Sequence, residues 1–294
     1  MRITRYAATL AAAGLVLAGC SSEAGEQAED AADSTAEVQE DVEFEAGTTM
    51  AELNEAGSIT VGTKFDQPGF GLLNPDGEPE GFDVEIAKII VKELGIDEGD
   101  IEWVESISKN REDFIINGTA DFIVATYTIN DDRKQKVAFA GPYYVAGQDI
   151  MVKKDDTSIT GKDSLAGKRV CSVTGSTPAE RIKTEIPQAK LTLFGTYQEC
   201  VEAMRNGQVD ATSTDNIILL GLIEKAPDEF KLVDKPFSTE PYGIGVKKDD
   251  TDFRNFINDV LTAAYTDGRY KAAYDKTVGK VKPEMPQPPA VDRY

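Results

Sequence analysis

The segment "IVATYTINDDRKQ" (123–135) contains residues whose types and spacing could do chemistry. It begins as an apolar run typical of a buried strand and ends among charges, so Thr126, Thr128 and Arg133 fall where a strand gives way to a helix. A guanidinium can bind a carboxylate through two parallel hydrogen bonds, and the free N–H groups of a helix start favour an anion. The junction therefore predicts either an anion site or a local salt bridge between Arg133 and the acids of its own helix.

A second segment repeats this order of residue types. Both "INGTADFIVATYT" (116–128) and "RNGQVDATSTD" (205–215) run from a helix end through Asn-Gly and an Asp into a strand that ends in threonines. Gly118 and Gly207 suit the left-handed conformation that ends a helix. Ligands of open α/β sheets bind at the carboxyl ends of parallel strands. We therefore expect two strand ends to face one cleft, where Asp215 is either a ligand contact or only the cap of the next helix.

The elements that must position these residues alternate between strands and helices, which predicts parallel α/β sheets. Strands are predicted over residues 58–63, 101–105, 120–126, 168–174, 190–194, 209–214 and 230–234, and the segments "GQDIMVKK" (147–154) and "YGIGVKK" (242–248) lead into the second series and out of it. Helices are predicted over residues 82–95, 109–118, 177–186, 197–207, 216–226 and 252–268.

The composition of the whole chain argues against a nucleic-acid partner and against most hydrolase mechanisms. The 294 residues carry a formal net charge of −21, which argues against a nucleic-acid partner because such a surface repels phosphates. The sequence has no histidine, so the usual neutral-pH general base and the commonest metal ligand are missing. We predict no catalytic residues, no metal and no cofactor.

The first residues have the character of a targeting segment. Arg2 and Arg5 precede a short apolar run that is too short to span a bilayer, and residues 1–19 are predicted to be a signal peptide. The run ends in "LAGC" (17–20), which resembles a bacterial lipobox and implies cleavage before Cys20 and a diacylglycerol on its thiol. A signal peptide with an incidental cysteine is the alternative.

The next segment, residues 20–50, is predicted to be a disordered acidic tether. Between residues 21 and 49 it has ten acidic residues and no Lys or Arg, so it cannot bury enough apolar surface to fold. If Cys20 carries the lipid, Cys171 and Cys200 remain, and an even number of cysteines outside the cytoplasm suggests a disulfide. Two buried free thiols are the alternative.

From about residue 58 to 279 the sequence resembles solute-binding protein family 3, the extracytoplasmic amino-acid-binding proteins of ABC importers. The motifs that carry the resemblance are "VGTKFDQPGFG" (61–71), "GFDVEIAK" (81–88), "NGTADFIVATYTINDDR" (117–133), "FAGPYY" (139–144), "SVTGSTPAE" (172–180) and "VDATSTDNI" (209–217). Each motif is weak alone, and six in order are specific. The details are most similar to the glutamate-binding lipoproteins of Gram-positive bacteria.

The resemblance implies a two-lobe α/β fold of the type II periplasmic-binding-protein class, joined by two hinge strands. Lobe 1 is predicted over residues 51–147 and 242–280, lobe 2 over 148–241, and a C-terminal tail over 281–294. It further implies a monomer that is lipid-anchored to the outer face of the cell membrane. By closing its lobes it would capture an amino acid and deliver it to an ABC permease with its ATPase subunits.

The resemblance also implies roles for individual residues. Arg133 matches the residue that binds the ligand α-carboxylate, and Asp215 matches the acid that receives the α-ammonium. Four further residues match ligand contacts, namely Thr126, Thr128, Ser176 and Thr177. As an alternative, Ser176 and Thr177 are only helix caps.

Two cations bear on the side chain of the ligand. Lys64 stands where many relatives carry an acid, and Arg111 matches an arginine that contacts the distal carboxylate in glutamate and aspartate binders. These cations predict L-glutamate as the ligand, with glutamine or aspartate as alternative ligands. The other possibility is that Lys64 and Arg111 are both exposed and have no role in binding. An enzyme like the cyclohexadienyl dehydratases is a weaker alternative, because it needs a positioned acid beyond Asp215.

Overall fold

A computed structural model describes residues 42–294, which form two lobes built on two five-stranded sheets. The strands are β1 (Ile59–Thr63), β2 (Asp66–Gln67), β3 (Gly71–Leu73), β4 (Pro79–Glu80), β5 (Ile101–Glu105), β6 (Phe122–Thr128), β7 (Ala138–Ala146), β8 (Gln148–Lys153), β9 (Arg169–Val173), β10 (Lys190–Phe194), β11 (Ala211–Asp215), β12 (Phe230–Leu232) and β13 (Glu240–Val246). The helices are α1 (Thr49–Ala56), α2 (Phe82–Glu93), α3 (Arg111–Ile116), α4 (Asp131–Lys134), α5 (Thr177–Glu185), α6 (Tyr197–Arg205), α7 (Asn216–Glu224), α8 (Thr251–Asp267) and α9 (Arg269–Lys276).

The sheets are parallel where strands and helices alternate, as predicted, but antiparallel at the strands that join the lobes. The first sheet has the order β5-β1-β6-β13-β7 and the second β10-β9-β11-β8-β12. In each sheet the first three strands are parallel, whereas β13 and β8 run antiparallel to both of their neighbours. The physical reason is that these strands enter from the other lobe without the crossover helix that a parallel connection needs.

The chain passes between the sheets twice, and the two passages lie side by side. The first runs from β7 through Gly147 into β8, and the second leads from β12 to β13. Phe237 N donates to Gln148 O at 2.9 Å, and Gln148 N donates to Ser238 Oγ at 2.9 Å. A side chain at Gly147 would lie 2.9 Å from Ser238 O, so only glycine allows this approach. This geometry gives two neighbouring hinge segments, while the predicted residue boundaries of the lobes stay a prediction.

The core of the first lobe is formed by α2 against the sheet. Phe82, Ile86 and Ile90 recur at helical spacing and are fully buried. Burial of one such side chain stabilises the fold by about 1.5–3 kcal/mol. Phe82 also packs edge-to-face on Phe70, with ring centroids 6.0 Å apart. This packing fixes the start of α2, from which Asp83 accepts a hydrogen bond from Thr126 N at the cleft wall described below.

The ends of the described chain pack on the first lobe. Helix α1 begins at Thr49, within the segment predicted to be a tether, and Phe44 packs edge-to-face on Phe256 with ring centroids 5.7 Å apart. The predicted signal peptide and Cys20 lie outside the described residues. Within residues 42–294, no helix is both long and apolar enough to cross a bilayer.

Cys171 of β9 and Cys200 of α6 form a disulfide, as predicted, with the sulfurs 2.01 Å apart. It closes a loop with a sequence separation of 29 residues. Replacing both cysteines by serine should therefore lower the free energy of unfolding by about 3–4 kcal/mol, because the unfolded chain regains loop entropy. Urea unfolding of the two proteins measures this difference. Equal midpoints would show that the bond does not stabilise the fold.

Candidate functional site

The carboxyl ends of β6 and β11 and the start of α5 line one cleft between the lobes, as the repeated strand ends predict. The residues that line it are Gln67, Ser108, Arg111, Thr126, Thr128, Ser176, Thr177, Pro178, Tyr197, Thr214, Asp215 and Ile218. Six of the eight predicted ligand contacts are in this set. Arg133 lines the adjoining open part of the cleft, and Lys64 lies behind Ser108. A ligand contact stays a prediction for each of them.

Arg133 is buried and does not pair with the acids of its own helix. Asn130 caps α4, since its Oδ1 accepts from Arg133 N at 2.9 Å. The guanidinium donates to Thr128 O at 2.6 Å and, across the cleft, to Gly175 O at 3.1 Å. Its ion pair within the described residues is with Glu112 of α3, at 3.4 Å. Burial, and then the charge of Arg111, lower the pKa of Arg133 to about 10. Its charged form is thus disfavoured here, and an anion beside it would relieve that cost.

Thr126 is held in a strained conformation. Its φ is +43°, which is rare for a β-branched residue. Asp83 Oδ2 accepts from Thr126 N at 2.8 Å, and Asp83 Oδ1 accepts from the hydroxyl of Tyr143 at 2.5 Å. The Thr126 hydroxyl lies 2.9 Å from Gln67 Oε1. Buried hydrogen bonds at the wall of the cleft therefore balance the strain of Thr126. Strained backbone conformations of this kind are often found at functional sites.

Lys64 and Arg111 are each only 2% exposed, so the alternative of exposed cations is wrong. Lys64 Nζ donates to Ser108 Oγ at 3.0 Å, and Arg111 Nη1 donates to Ala125 O at 3.0 Å. Burial and the nearby Arg111 lower the pKa of Lys64 to about 7. An anionic group placed here would oppose both effects and keep Lys64 charged.

Two acids beside these cations were missed by the sequence reasoning. Asp66 and Asp83 are both buried, and burial raises the pKa of each. Asp83 reaches a pKa of about 6, although the Tyr143 hydroxyl and Thr126 N–H favour its ionised form. For Asp66 the sequence did contain a signal, because this acid stands two residues after the predicted ligand contact Lys64. These two carboxylates hold residues of the cleft wall, Thr126 and Tyr197, but do not themselves line the cleft.

Asp215 lies at the end of β11 with one carboxylate oxygen free. Its Oδ2 accepts from the Tyr242 hydroxyl at 2.6 Å, whereas the buried Oδ1 has no hydrogen-bond partner among the described residues. The side chain does not cap α7, so the cap alternative is wrong. Burial, and then the charge of Glu240, raise the pKa of Asp215 to about 7. An ammonium group at the free oxygen would favour the ionised form.

The start of α5 is tied to a hinge glutamate that no sequence motif identified. Glu240 is 0% exposed and accepts from Arg181 Nη1 at 2.6 Å, Ser238 Oγ at 2.7 Å and Thr177 Oγ1 at 2.9 Å. Thr177 therefore directs its hydroxyl to Glu240. The Ser176 hydroxyl accepts from the N–H of residue 179 and so does act as the cap of α5.

Comparison with known proteins identifies the family. A family model described as bacterial extracellular solute-binding proteins, family 3, matches residues 59–280. The chain belongs to this family. Family 3 members are extracytoplasmic solute-binding proteins, which agrees with the resemblance found in the sequence motifs.

Individual relatives of this family 3 protein cover most of the chain. The glutamate-binding protein GluB of Corynebacterium efficiens is 42% identical over 246 residues, covering 80% of this chain and 84% of GluB. The ABC transporter glutamine-binding protein GlnH of Bacillus subtilis is 40% identical, covering 78% and 84%. The solved structure of the solute receptor for L-cysteine of Neisseria gonorrhoeae is 31% identical with a TM-score of 0.77, covering 83% and 99%. The predicted two-lobe, type II fold is confirmed.

Proposed function

We propose that this protein captures L-glutamate by closing its lobes and delivers it to the permease of an ABC importer. The relatives support transport of an amino acid, since GluB is named for glutamate and GlnH for glutamine. Glutamine is therefore the rival ligand, followed by aspartate. The ligand would act by binding the closed state more tightly than the open state.

The observation that carries the proposal is the free oxygen of Asp215 in the same cleft as Arg133. An α-amino acid presents a carboxylate and an ammonium group on one carbon. Arg133 belongs to the first lobe and Asp215 to the second, so one zwitterion between them would meet a charge of opposite sign on each side. It would also remove the cost of leaving a buried carboxylate oxygen without a partner.

The choice of glutamate rests on Lys64 and Arg111. Both cations are buried, and the low pKa of Lys64 reflects burial and the charge of Arg111. The nearby acids Asp66 and Asp83 raise the pKa of Lys64, but burial and the charge of Arg111 outweigh them. A distal carboxylate would thus supply the remaining charge partner, whereas the neutral amide of glutamine would leave a desolvated cation unmatched.

Lys64→Met tests this choice, because it removes the charge and keeps a long apolar chain. We expect the affinity for glutamate to fall by about tenfold or more, with the affinity for glutamine nearly unchanged, since hydrogen bonds to charged groups contribute about 1.5–3 kcal/mol. Arg111→Met should act in the same direction and more strongly. Calorimetric titration with both ligands measures the ratio. Equal losses for glutamate and glutamine would contradict the charge-pairing argument.

We further propose that Cys20 carries a lipid that holds the protein at the outer face of the cell membrane. The support is the "LAGC" sequence and the acidic segment that follows it. Incorporation of labelled palmitate into the full chain, absent in Cys20→Ser, tests the anchor.

We propose no enzymatic activity, because the additional buried carboxylates Asp66, Asp83 and Glu240 each accept hydrogen bonds that engage them in the fold.

A further inference from the structure

Gly221 lies in the middle of α7, where glycine is costly. A glycine inside a helix is less favourable than alanine by about 1 kcal/mol. A methyl group built on Gly221 would overlap the backbone carbonyl of Pro68, which belongs to the first lobe next to β2. Helix α7 belongs to the second lobe and packs on β8 and β12. The glycine therefore allows the two lobes to approach to backbone contact at this point.

The same part of the first lobe binds the start of a second helix of the other lobe. Asp66 Oδ2 accepts from Tyr197 N at 2.7 Å, and Asp66 O accepts from Gln198 Nε2 at 3.3 Å. Helix α6 has its own capping box, formed by Thr196 and Glu199. That box satisfies the N–H groups of Thr196 and Glu199 and leaves the Tyr197 N–H for Asp66. One orphan donor of α6 is thus satisfied from the opposite lobe.

These contacts are separate from the predicted ligand contacts. The cleft is lined by Gln67 but not by Asp66, Pro68 or Gly221. At the open part of the cleft, a methyl group at Gly175 would lie 2.7 Å from the Cα of Lys109. The lobes therefore meet through glycine at two places. Gly175 has φ +81° and needs glycine for its backbone, whereas Gly221 is helical and needs it only for this contact.

We propose that Gly221 and Asp66 are positioning residues for ligand capture, which set the closure of the lobes and so scale the affinity for every amino acid the protein binds. This inference rests on the proposed capture by lobe closure and is independent of which amino acid is bound. When the lobes part, the Tyr197 N–H and the Asp66 carboxylate return to water. A ligand that binds the closed state gains whatever these contacts contribute, in equal measure for each ligand.

Gly221→Ala is the test. The methyl group holds the lobes apart, and overpacking of this kind should reduce the affinity by about fivefold to 150-fold. We expect the same factor for glutamate, glutamine and any other amino acid that the wild-type protein binds. The melting temperature of the ligand-free protein should not fall, because alanine favours the helix. A merely structural role of Gly221 would instead lower that temperature.

Gly99→Ala is the matched control, since a methyl group there lies 3.4 Å from Asp97 Oδ1 in ordinary contact.

Asp66 is tested with glutamine, whose side chain has no charge for Lys64 to meet. Asp66→Asn keeps the acceptor for Tyr197 N and should bind within about threefold of wild type, whereas Asp66→Ala should bind about tenfold more weakly. Unchanged affinity in Gly221→Ala, or unequal factors for different ligands, would overturn the inference. Absence of any amino-acid binding by the wild-type protein would instead overturn the proposed function.

Discussion

Replacing Arg133 by alanine should weaken amino-acid binding by about 100-fold or more, because truncating one partner of a buried, hydrogen-bonded charge pair costs about 2–5 kcal/mol. The guanidinium is buried and already donates to backbone carbonyls on both sides of the cleft, at Thr128 and Gly175. A ligand carboxylate would provide a stronger, charge-assisted partner. Calorimetry with glutamate and with glutamine should give similar losses, since both share the α-carboxylate.

Two variants control for indirect effects of this substitution. Arg133→Lys keeps the positive charge but loses the planar pair of donors, so we expect it to recover only part of the affinity. Lys134→Ala changes the adjacent cation of α4, whose ammonium pairs with Asp292 at 3.1 Å, and should leave the affinity unchanged. Wild-type affinity in Arg133→Ala would refute the role of Arg133 as the α-carboxylate residue.

Lowering the pH from 8 to 6 should weaken the binding of glutamine by about tenfold, because the ligand ammonium requires an ionised Asp215. Burial raises the pKa of this carboxyl to about 7 in the ligand-free protein, so protonation competes with the ligand below that pH. The sign follows from linkage: the bound ammonium lowers the pKa, and binding below pH 7 releases a proton. Calorimetry in two buffers with different ionisation enthalpies measures that release.

Glutamine is the suitable ligand for this experiment because Lys64 also titrates near pH 7. With glutamate, a fall in pH would charge Lys64 and strengthen its attraction to the distal carboxylate, which opposes the effect at Asp215. Asp83, with a pKa of about 6, titrates at the lower end of the range.

Asp215→Asn should bind glutamine weakly and lose the proton release. Asp210→Asn is the matched control, since a hydrogen bond from Arg169 holds the pKa of that half-buried acid below its usual value. Proton release that persists in Asp215→Asn would assign the titration to another group.

The sequence was informative where function depends on residues close in the chain. The Thr126–Arg133 junction and its counterpart at Asp215 predicted two strand ends that the structure brings to one cleft. The cap formed by Asn130 on Arg133 N is a contact within one turn of helix, which local residue preferences reveal.

The remaining parts of the site join residues that are distant in the chain. Asp66 meets Tyr197 across 131 residues, and Glu240 meets Thr177 across 63 residues. No periodic pattern encodes such pairs, because each depends on how the two lobes pack. Gly221 was hidden for the same reason, since only the position of Pro68 explains a glycine inside a helix.

The orientation of the hinge strands was not predicted, for a related reason. The apolar runs of β8 and β13 look alike whether their neighbours run parallel or antiparallel. Their direction is decided by the route of the chain between the lobes, which local periodicity does not contain.

A thermal-shift measurement with each of the twenty amino acids tests the central claim most directly, because a ligand that binds the folded state raises its melting temperature. At a ligand concentration about 1,000 times the Kd, binding adds about 4 kcal/mol, which for a protein of this size corresponds to about 6–8 °C. We predict the largest rise with L-glutamate, a smaller one with glutamine, and none with arginine or lysine. A largest shift with a cationic amino acid, or no shift with any of the twenty, would contradict the account.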